Sequence, residues 1–413
     1  MRHIFLPACC VVLLALSATA QKKQSLAFAI TSAEKGTYQW TEIKLVDINT
    51  GELVRTIVDS KLPTAYKVYH ARSGRELAVT DAKGVVKDQN ALPLSTMSAA
   101  LAYDAKHKRL YYTPMYINQL RYIDLSGKEP KIYYFQDESF SLVQQISNES
   151  LHITRMVIAA DGNGYAMSND GHHFVRFTTG KKPLIEDLGS VRDDANNTVS
   201  IHDKQTSWGG DMIADAQGNL YVISAFQHVF KINIQSKIAT HIGKIQGLPE
   251  KFTANGAVVD DEGYLVLSSA NNFENYYRVD MKDWTATKIE TSTPVFNASD
   301  LANGNLAFTP KLTKPIELFE REIVRNDKIG MYPNPATTGR FRVSFNNSPL
   351  GRYEIQVVDL TGRLLSQKSV QVQNHGQTTE IDLRNTIANG TYLVKVLNNT
   401  QKTIFAERLV VEK

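Results

Sequence analysis

At 413 residues the chain exceeds what one ordinary core organises, so at least two domains are expected. Hydrophobic residues at 42% with charged residues at 21% exclude a disordered polyelectrolyte and a multi-span membrane protein, and a net charge of +4 at this length excludes nucleic acid as a partner. Eighteen Tyr, 24 Gly and many β-branched residues favour strands and turns over helices.

The first segment has the composition of an export signal. Met1-Arg2-His3 is a short basic start, Ile4 to Leu16 is almost wholly apolar, and Ala18-Thr19-Ala20 before Gln21 has the small-x-small pattern of a signal-peptidase site. Residues 1–20 are therefore expected to engage the Sec translocon and to be cleaved between Ala20 and Gln21. Cys9 follows Leu6-Pro7-Ala8, but most of the apolar run comes after it, which argues against lipidation. No later stretch approaches the roughly 20 apolar residues of a transmembrane helix, so no membrane span is expected in the mature protein. Both cysteines, Cys9 and Cys10, lie in the signal, so disulfides and a Cys nucleophile are excluded from the mature chain.

The middle of the chain repeats. Apolar runs flank a turn at 102–112, 159–165, 213–222, 258–266 and, more loosely, 300–308, where Asp caps the turn and Gly supplies positive φ. A sixth, degenerate copy is His70 to Val79. A second hairpin type alternates with the first around Asp47, Asp124, Thr178, Asn233 and Asp280, the last four spaced by 54, 55 and 47 residues. Two hairpins make a four-stranded unit, and this period is close to that of propeller blades. The hairpin at Asp47 lacks a preceding partner, so it is expected to complete the last blade and close the ring. The predicted fold is all-β, a propeller of six blades, with seven admissible because residues 61–96 carry no clear pattern. The run Gly218-Asn219-Leu220-Tyr221-Val222 after Asp215 resembles NHL or gluconolactonase-like propellers, and the likeness covers residues about 25–322.

From Ile329 to Lys413 the chain carries Tyr332-Pro333-Asn334-Pro335, then Asp359-Leu360-Thr361-Gly362-Arg363, then Gly390-Thr391-Tyr392-Leu393-Val394-Lys395, and a terminal basic-apolar strand. Period-two strands separated by turns predict a small Ig-like β-sandwich. The region resembles the type A C-terminal sorting domain of the type IX (Por) secretion system, on the motif residues Pro333, Asn334, Pro335, Asp359, Gly362, Gly390, Tyr392 and Lys395. The resemblance implies passage through the periplasm, recognition by the type IX translocon and sortase, and a secreted or outer-membrane surface-attached product. The expected organisation is signal peptide 1–20, propeller cargo 21–325, linker 326–330 and sorting domain 331–413.

The cargo lacks His-Glu-x-x-His, Gly-x-Ser-x-Gly, a phosphate-binding Gly-x-x-x-x-Gly-Lys-Ser/Thr and a dinucleotide fingerprint. His172-His173 sits in a turn, and the acidic stretch 186–194 lacks calcium-loop spacing. The candidate ligand-binding residues stand at the starts of the apolar runs: Arg155, Trp208, Asp211, Asn255 and Asn297. In a propeller these positions gather at one mouth of the channel, where polar groups beside Trp208 suit a sugar; the same polarity also suits a merely wet channel. Gluconolactonase-like enzymes hold a divalent metal there with Glu, Asn and Asp; Asp211 and Asn255 echo that set, but its first-blade Glu is absent. The expectation is a non-catalytic propeller that binds a glycan, peptide or envelope component such as a surface polysaccharide, without a cofactor. The alternative is a hydrolase or lyase assisted by Ca²⁺ or Mg²⁺; the sequence leaves enzyme status open.

Overall fold

A computed structural model describes residues 24–136, 140, 147–180, 184–309, 324, 326–359, 364–384, 388–400 and 402–412. The signal segment with Cys9, Cys10, Ala20 and Gln21 lies outside these residues, as does Gly362. The chain divides into two compact units at Thr309 and Pro310. Val324, which the sequence assigns to the cargo, pairs with Ala406 of the second unit.

Among the described residues, twenty-three strands build the first unit. They are β1 (Leu26–Thr31), β2 (Glu42–Asp47), β3 (Glu52–Val58), β4 (Val68–His70), β5 (Glu76–Leu77), β6 (Ser98–Asp104), β7 (Arg109–Pro114), β8 (Arg121–Asp124), β9 (Lys131–Tyr134), β10 (Ile153–Ile158), β11 (Asn163–Ser168), β12 (Phe174–Thr178), β13 (Ile185–Asp187), β14 (Arg192–Asp193), β15 (Asp211–Ala214), β16 (Asn219–Ile223), β17 (His228–Asn233), β18 (Ile238–Lys244), β19 (Gly256–Val259), β20 (Leu265–Ser268), β21 (Tyr277–Asp280), β22 (Thr285–Lys288) and β23 (Ala298–Ala302). They form five sheets: β23-β1-β2-β3, β6-β7-β8-β9 with β4 and β5 beyond β9, β10 to β13, β15 to β18 with β14 beyond β18, and β19 to β22. The inner strands β6, β10, β15, β19 and β23 are neighbours in a closed ring, which makes the unit a β-propeller.

Among the described residues the propeller has five blades, not the six expected. The degenerate copy at 70–79 is the source of the miscount. Val68 to His70 pairs in parallel with β9 and carries β5 on its far side, so this hairpin widens the second blade from outside. The ring closes as expected through the N-terminal strands, but with one strand from the C-terminal side rather than a hairpin. After β23 no second strand follows up to residue 309, and β1 takes its place, with Phe28 opposite Ala302 and Ile30 opposite Asp300.

Period-two alternation explains the apolar content of the strands. Each blade is buried on both faces, so successive side chains enter opposite interfaces. On β1, Ala27 and Ala29 join Val258 and Val266 of the fifth blade, while Phe28 and Ile30 join Leu101 and Tyr112 of the second. Three further cores fill the remaining interfaces.

The turns use the chemistry read from the sequence. Asp104, Asp161, Asp215 and Asp260 each accept, through Oδ1, the backbone N–H two residues on, at 2.8–3.0 Å. In the closing blade this role falls to Asn303, which accepts from Asn305 at 3.1 Å, and not to Asp300. The second hairpin type is likewise capped by Asp47, Asp124, Thr178, Asn233 and Asp280.

The second unit has β24 (Ile329–Tyr332), β25 (Arg340–Phe345), β26 (Gly351–Val358), β27 (Leu364–Val372), β28 (Gln377–Asp382), β29 (Gly390–Leu397) and β30 (Thr403–Val411). Sheets β24-β25-β28 and β27-β26-β29-β30 share one apolar core, including Phe341, Val343, Tyr353, Val394 and Leu409, so the unit is a two-sheet sandwich. The Pro-Asn-Pro segment is stitched to the terminal strand. Asn334 donates to the Arg408 carbonyl at 2.6 Å and accepts from the Val410 N–H at 2.9 Å, and Ala336 N donates to Val410 at 2.8 Å. Two peptide bonds here, Tyr332-Pro333 and Asn334-Pro335, are cis. Gly390 opens β29, buried Tyr392 bonds the Ala388 carbonyl at 2.8 Å, and Lys395 stands opposite Gln356 on β26. Asp359 follows directly on β26.

Candidate functional site at the channel mouth

Inner strands run away from the face on which they start, called here the mouth face; the opposite end, where the Asp-capped turns lie, is the turn face. The five candidates fall into two groups. Arg155, the third residue of β10, is fully buried. Its Nε donates to the Gly209 carbonyl at 2.9 Å and its Nη2 to Ser207, so it grips the backbone on both sides of Trp208. Trp208 is only partly exposed; its indole N–H bonds the His202 carbonyl at 3.1 Å and the Lys204 ammonium lies 5.0 Å from its ring. Asn255 and Asn297 form the second group and meet through Ala270. Asn255 accepts the Ala270 N–H at 3.0 Å, and Asn297 donates to the Ala270 carbonyl at 2.9 Å. Asn297 also accepts from Gly36 N at 3.0 Å and donates to the Thr37 carbonyl at 2.7 Å, pinning the β1–β2 loop.

Asp211 connects the ring. Its carboxylate accepts the N–H of Met212 and, at 2.6 Å, that of Ala257 on β19, as well as the N–H of Leu301 on β23. The carboxyl of Asp300 on β23 lies beside that of Asp211 and near the backbone of Leu101 on β6. Asp211 therefore ties β15 to β19 and β23, Asp300 brings the pair up against β6, and Arg155 on β10 feels the charge of Asp211.

Both carboxyls are fully buried, and burial holds both well above the usual carboxylate range. Three backbone N–H groups favour charge on Asp211, whereas Asp300 feels burial and the repulsion of Asp211, so Asp300 is the member of the pair that holds a proton more firmly. Burial pulls the Arg155 guanidinium below its ordinary value, opposed by Asp170 and Asp211; it stays charged at neutral pH. Arg155 Nη1, Ser98 Oγ, Ser268 Oγ and both Asp300 oxygens are buried without a conventional hydrogen-bond partner among the described residues.

Sequence reasoning missed Asp300 because it was aligned with the turn-capping Asp residues. The signal was present: Gly follows Asp161, Asp215 and Asp260 by three residues, but follows Asp300 by four.

Below this hub the channel contains a cavity of about 20 Å³ lined by apolar inner-strand residues such as Met156, Met212 and Leu301, room for about one water. Larger hollows lie elsewhere. One of about 400 Å³ sits among the turns at 104–107, 159–163 and 178–180, and one of about 740 Å³ lies beside Tyr165, Arg176 and Lys237. Among the described residues no group of three or more His, Cys, Asp or Glu is placed to hold a metal ion. No helix of the described residues is long and apolar enough to cross a membrane.

What the mouth does expose is rings. The loop between the second and third strands of each blade lies on this face and bears at least one, among them Tyr38, Tyr116, His172, Phe226 and Phe273. Tyr38, Tyr116 and Phe226 are 53%, 42% and 46% exposed.

No curated protein sequence matches the chain. Among solved structures, PorZ, described as an essential surface component of the type IX secretion system of Porphyromonas gingivalis, is 13% identical with a TM-score of 0.32; the match covers 94% of this chain and 51% of that one. The chain thus spans about half the length of that structure. A putative 6-phosphogluconolactonase from Bacteroides uniformis is 11% identical, with TM-score 0.33 and coverage of 68% and 99%. Virginiamycin B lyase from Staphylococcus aureus is 10% identical, with TM-score 0.31 and coverage of 76% and 85%. Scores at this level carry no weight here, and the propeller assignment rests on the sheets themselves. Residues 330–412 match the family described as the secretion system C-terminal sorting domain, so the second unit is a sorting domain of the Por type.

Proposed function

We propose that the chain is exported through the periplasm by the type IX system and works at the cell surface or in the medium as a non-catalytic propeller that binds an envelope component at its mouth face. The observation that carries the export reading is the family match over residues 330–412. The binding reading draws support from how the mouth is built. A catalytic carboxylate must reach a substrate, yet Asp211 and Asp300 are fully buried and turned to backbone amides and to each other. Asn297 is likewise spent on backbone. Among its rings the face exposes Tyr38, Tyr116 and Phe226, with Trp208 partly exposed.

Deleting residues 329–413 tests the export half by cell fractionation. The truncated propeller is expected to accumulate in the periplasm, while the full chain leaves the cell. Truncated protein outside the cell at the full-length level would overturn the reading.

A further inference from the structure

The two ends of the propeller differ in composition in a way the fold does not require. At the turn face four of the five inner hairpins repeat an Asp-capped turn. At the mouth face the equivalent loops differ in length, from four residues (224–227) to ten (32–41), so no shared turn geometry is being preserved. They share a ring instead.

The loops are also locked in place. Each touches the start of the next blade's inner strand. The Trp40 carbonyl accepts from Ser98 N at 3.2 Å, Tyr116 lies edge-on to His152 at 5.0 Å, and Asn169 accepts from Gly209 N at 3.0 Å. The Ala225 carbonyl accepts from Ala254 N at 3.2 Å and the Ser269 carbonyl from Ala298 N at 2.9 Å. The five rings therefore circle one mouth by the symmetry of the fold. Four of them touch a neighbour: Phe273 seats on Gly36, His172 stacks on His202 at 4.6 Å, Tyr116 lies against His152, and Tyr38 stands edge-on to Trp40 at 6.3 Å. Tyr38, Tyr116 and Phe226 nonetheless keep two-fifths or more of their surface in water, one ring on each of three loops of the same face.

The residues around these rings choose the occupant. Loops 115–120 and 224–227 contain no charged residue, the other three hold Glu34, Asp170 and Glu274 against Lys35 so that the rim has no basic excess, and the Gln39 amide stands exposed beside Tyr38. Rings suit the C–H faces of a pyranose, and amides suit its hydroxyls; an anionic polymer would require a basic rim. We propose that the mouth face binds a neutral oligosaccharide, with Tyr38, Tyr116 and Phe226 as its platforms. This rests on the binding reading above and names its ligand class.

The test uses the purified mature chain against immobilised chitohexaose, maltohexaose, mannohexaose and xylohexaose, with dextran sulfate and a hexapeptide array alongside. At least one neutral hexasaccharide is expected to bind, with affinity changing less than about twofold between roughly 50 and 500 mM NaCl, a range that screens exposed charges. Each of Tyr38→Ala, Tyr116→Ala and Phe226→Ala is expected to weaken it about tenfold or more, while Tyr38→Phe and Tyr116→Phe retain it, because the ring is the contact. These side chains are exposed, so an unchanged unfolding midpoint separates lost contact from lost fold. Binding of dextran sulfate or peptides alone, abolished by the same variants, overturns the glycan class and leaves the binding reading standing. Sugar binding unchanged in all three alanine variants overturns the platforms. Silence across all probes overturns both readings.

Discussion

The turn face and the mouth face of the propeller are built from the same five blades yet follow different rules. At the turn face the chain must reverse within a few residues, so local chemistry dominates and Asp with a positive-φ Gly recurs in the inner hairpins of three of the five blades. At the mouth face the blades meet, and the constraint is tertiary: one strand's carboxyl must satisfy another strand's amide. Loops on that face are free to vary once tied to the next blade. A repeated ring there is therefore a stronger functional sign than a repeated Asp on the other side.

Mutations at the two faces should separate sharply. The largest effect is expected for Asp211→Ala, which strands amides of three inner strands and leaves Asp300 without its partner. Denaturant unfolding should show a loss of about 3–5 kcal/mol, the range for breaking a buried charged network. A loss under about 1 kcal/mol would mean the hub holds nothing together.

The second test is pH. The folded pair keeps its proton above the pH at which an unfolded Asp releases it, near 3.9. Its stabilising contribution is therefore fully present below that value and is lost as pH rises through the raised value of the folded pair. The slope should not exceed about 1.4 kcal/mol per pH unit for one proton. Asp300→Asn, which can still donate to Asp211, should flatten this slope in unfolding curves taken from pH 4 to 9; an unaltered slope would place the proton elsewhere.

The smallest contrast compares two glycines of equal φ. Gly210 at the mouth has φ +85°, and an added Cβ would lie 1.9 Å from the Ile223 carbonyl oxygen; Gly218 at the turn face has the same φ but open space. Gly210→Ala is expected to cost about 3 kcal/mol from overlap and strain together, and Gly218→Ala about 1 kcal/mol from strain alone. Thermal unfolding of both variants measures the difference, and equal shifts would remove the distinction drawn between the faces.

Legibility in the sequence follows the same division. The hairpins around Asp104, Asp161, Asp215 and Asp260 were readable because capping acts over two residues. Recognition of residues 329–413 was readable because its motif blocks stand in order along the chain. The site was less so. Arg155, Asp211 and Asn297 were rightly placed at strand starts, but whether such residues face a ligand or one another depends on strands far apart in the chain. Asp211 meets Ala257, and Thr31 bonds the carbonyl of Asn297, 266 residues away. The rings at Tyr38, Tyr116 and Phe226 share no spacing and no motif, so only superposed blades align them.

By itself, then, the sequence determined the strands, their turns, the all-β class and the sorting domain, since period-two burial, Asp and Gly turn chemistry and ordered motifs are local properties. The tertiary structure alone decided that the hairpin at 68–77 pairs at the edge of the second blade rather than forming its own, that the ring closes on β23 and β1 with five blades, and that Asp300 belongs to a buried hub. Each of these depends on which strand edge finds a partner, and edge pairing between distant segments leaves no mark in the residues on either side of it.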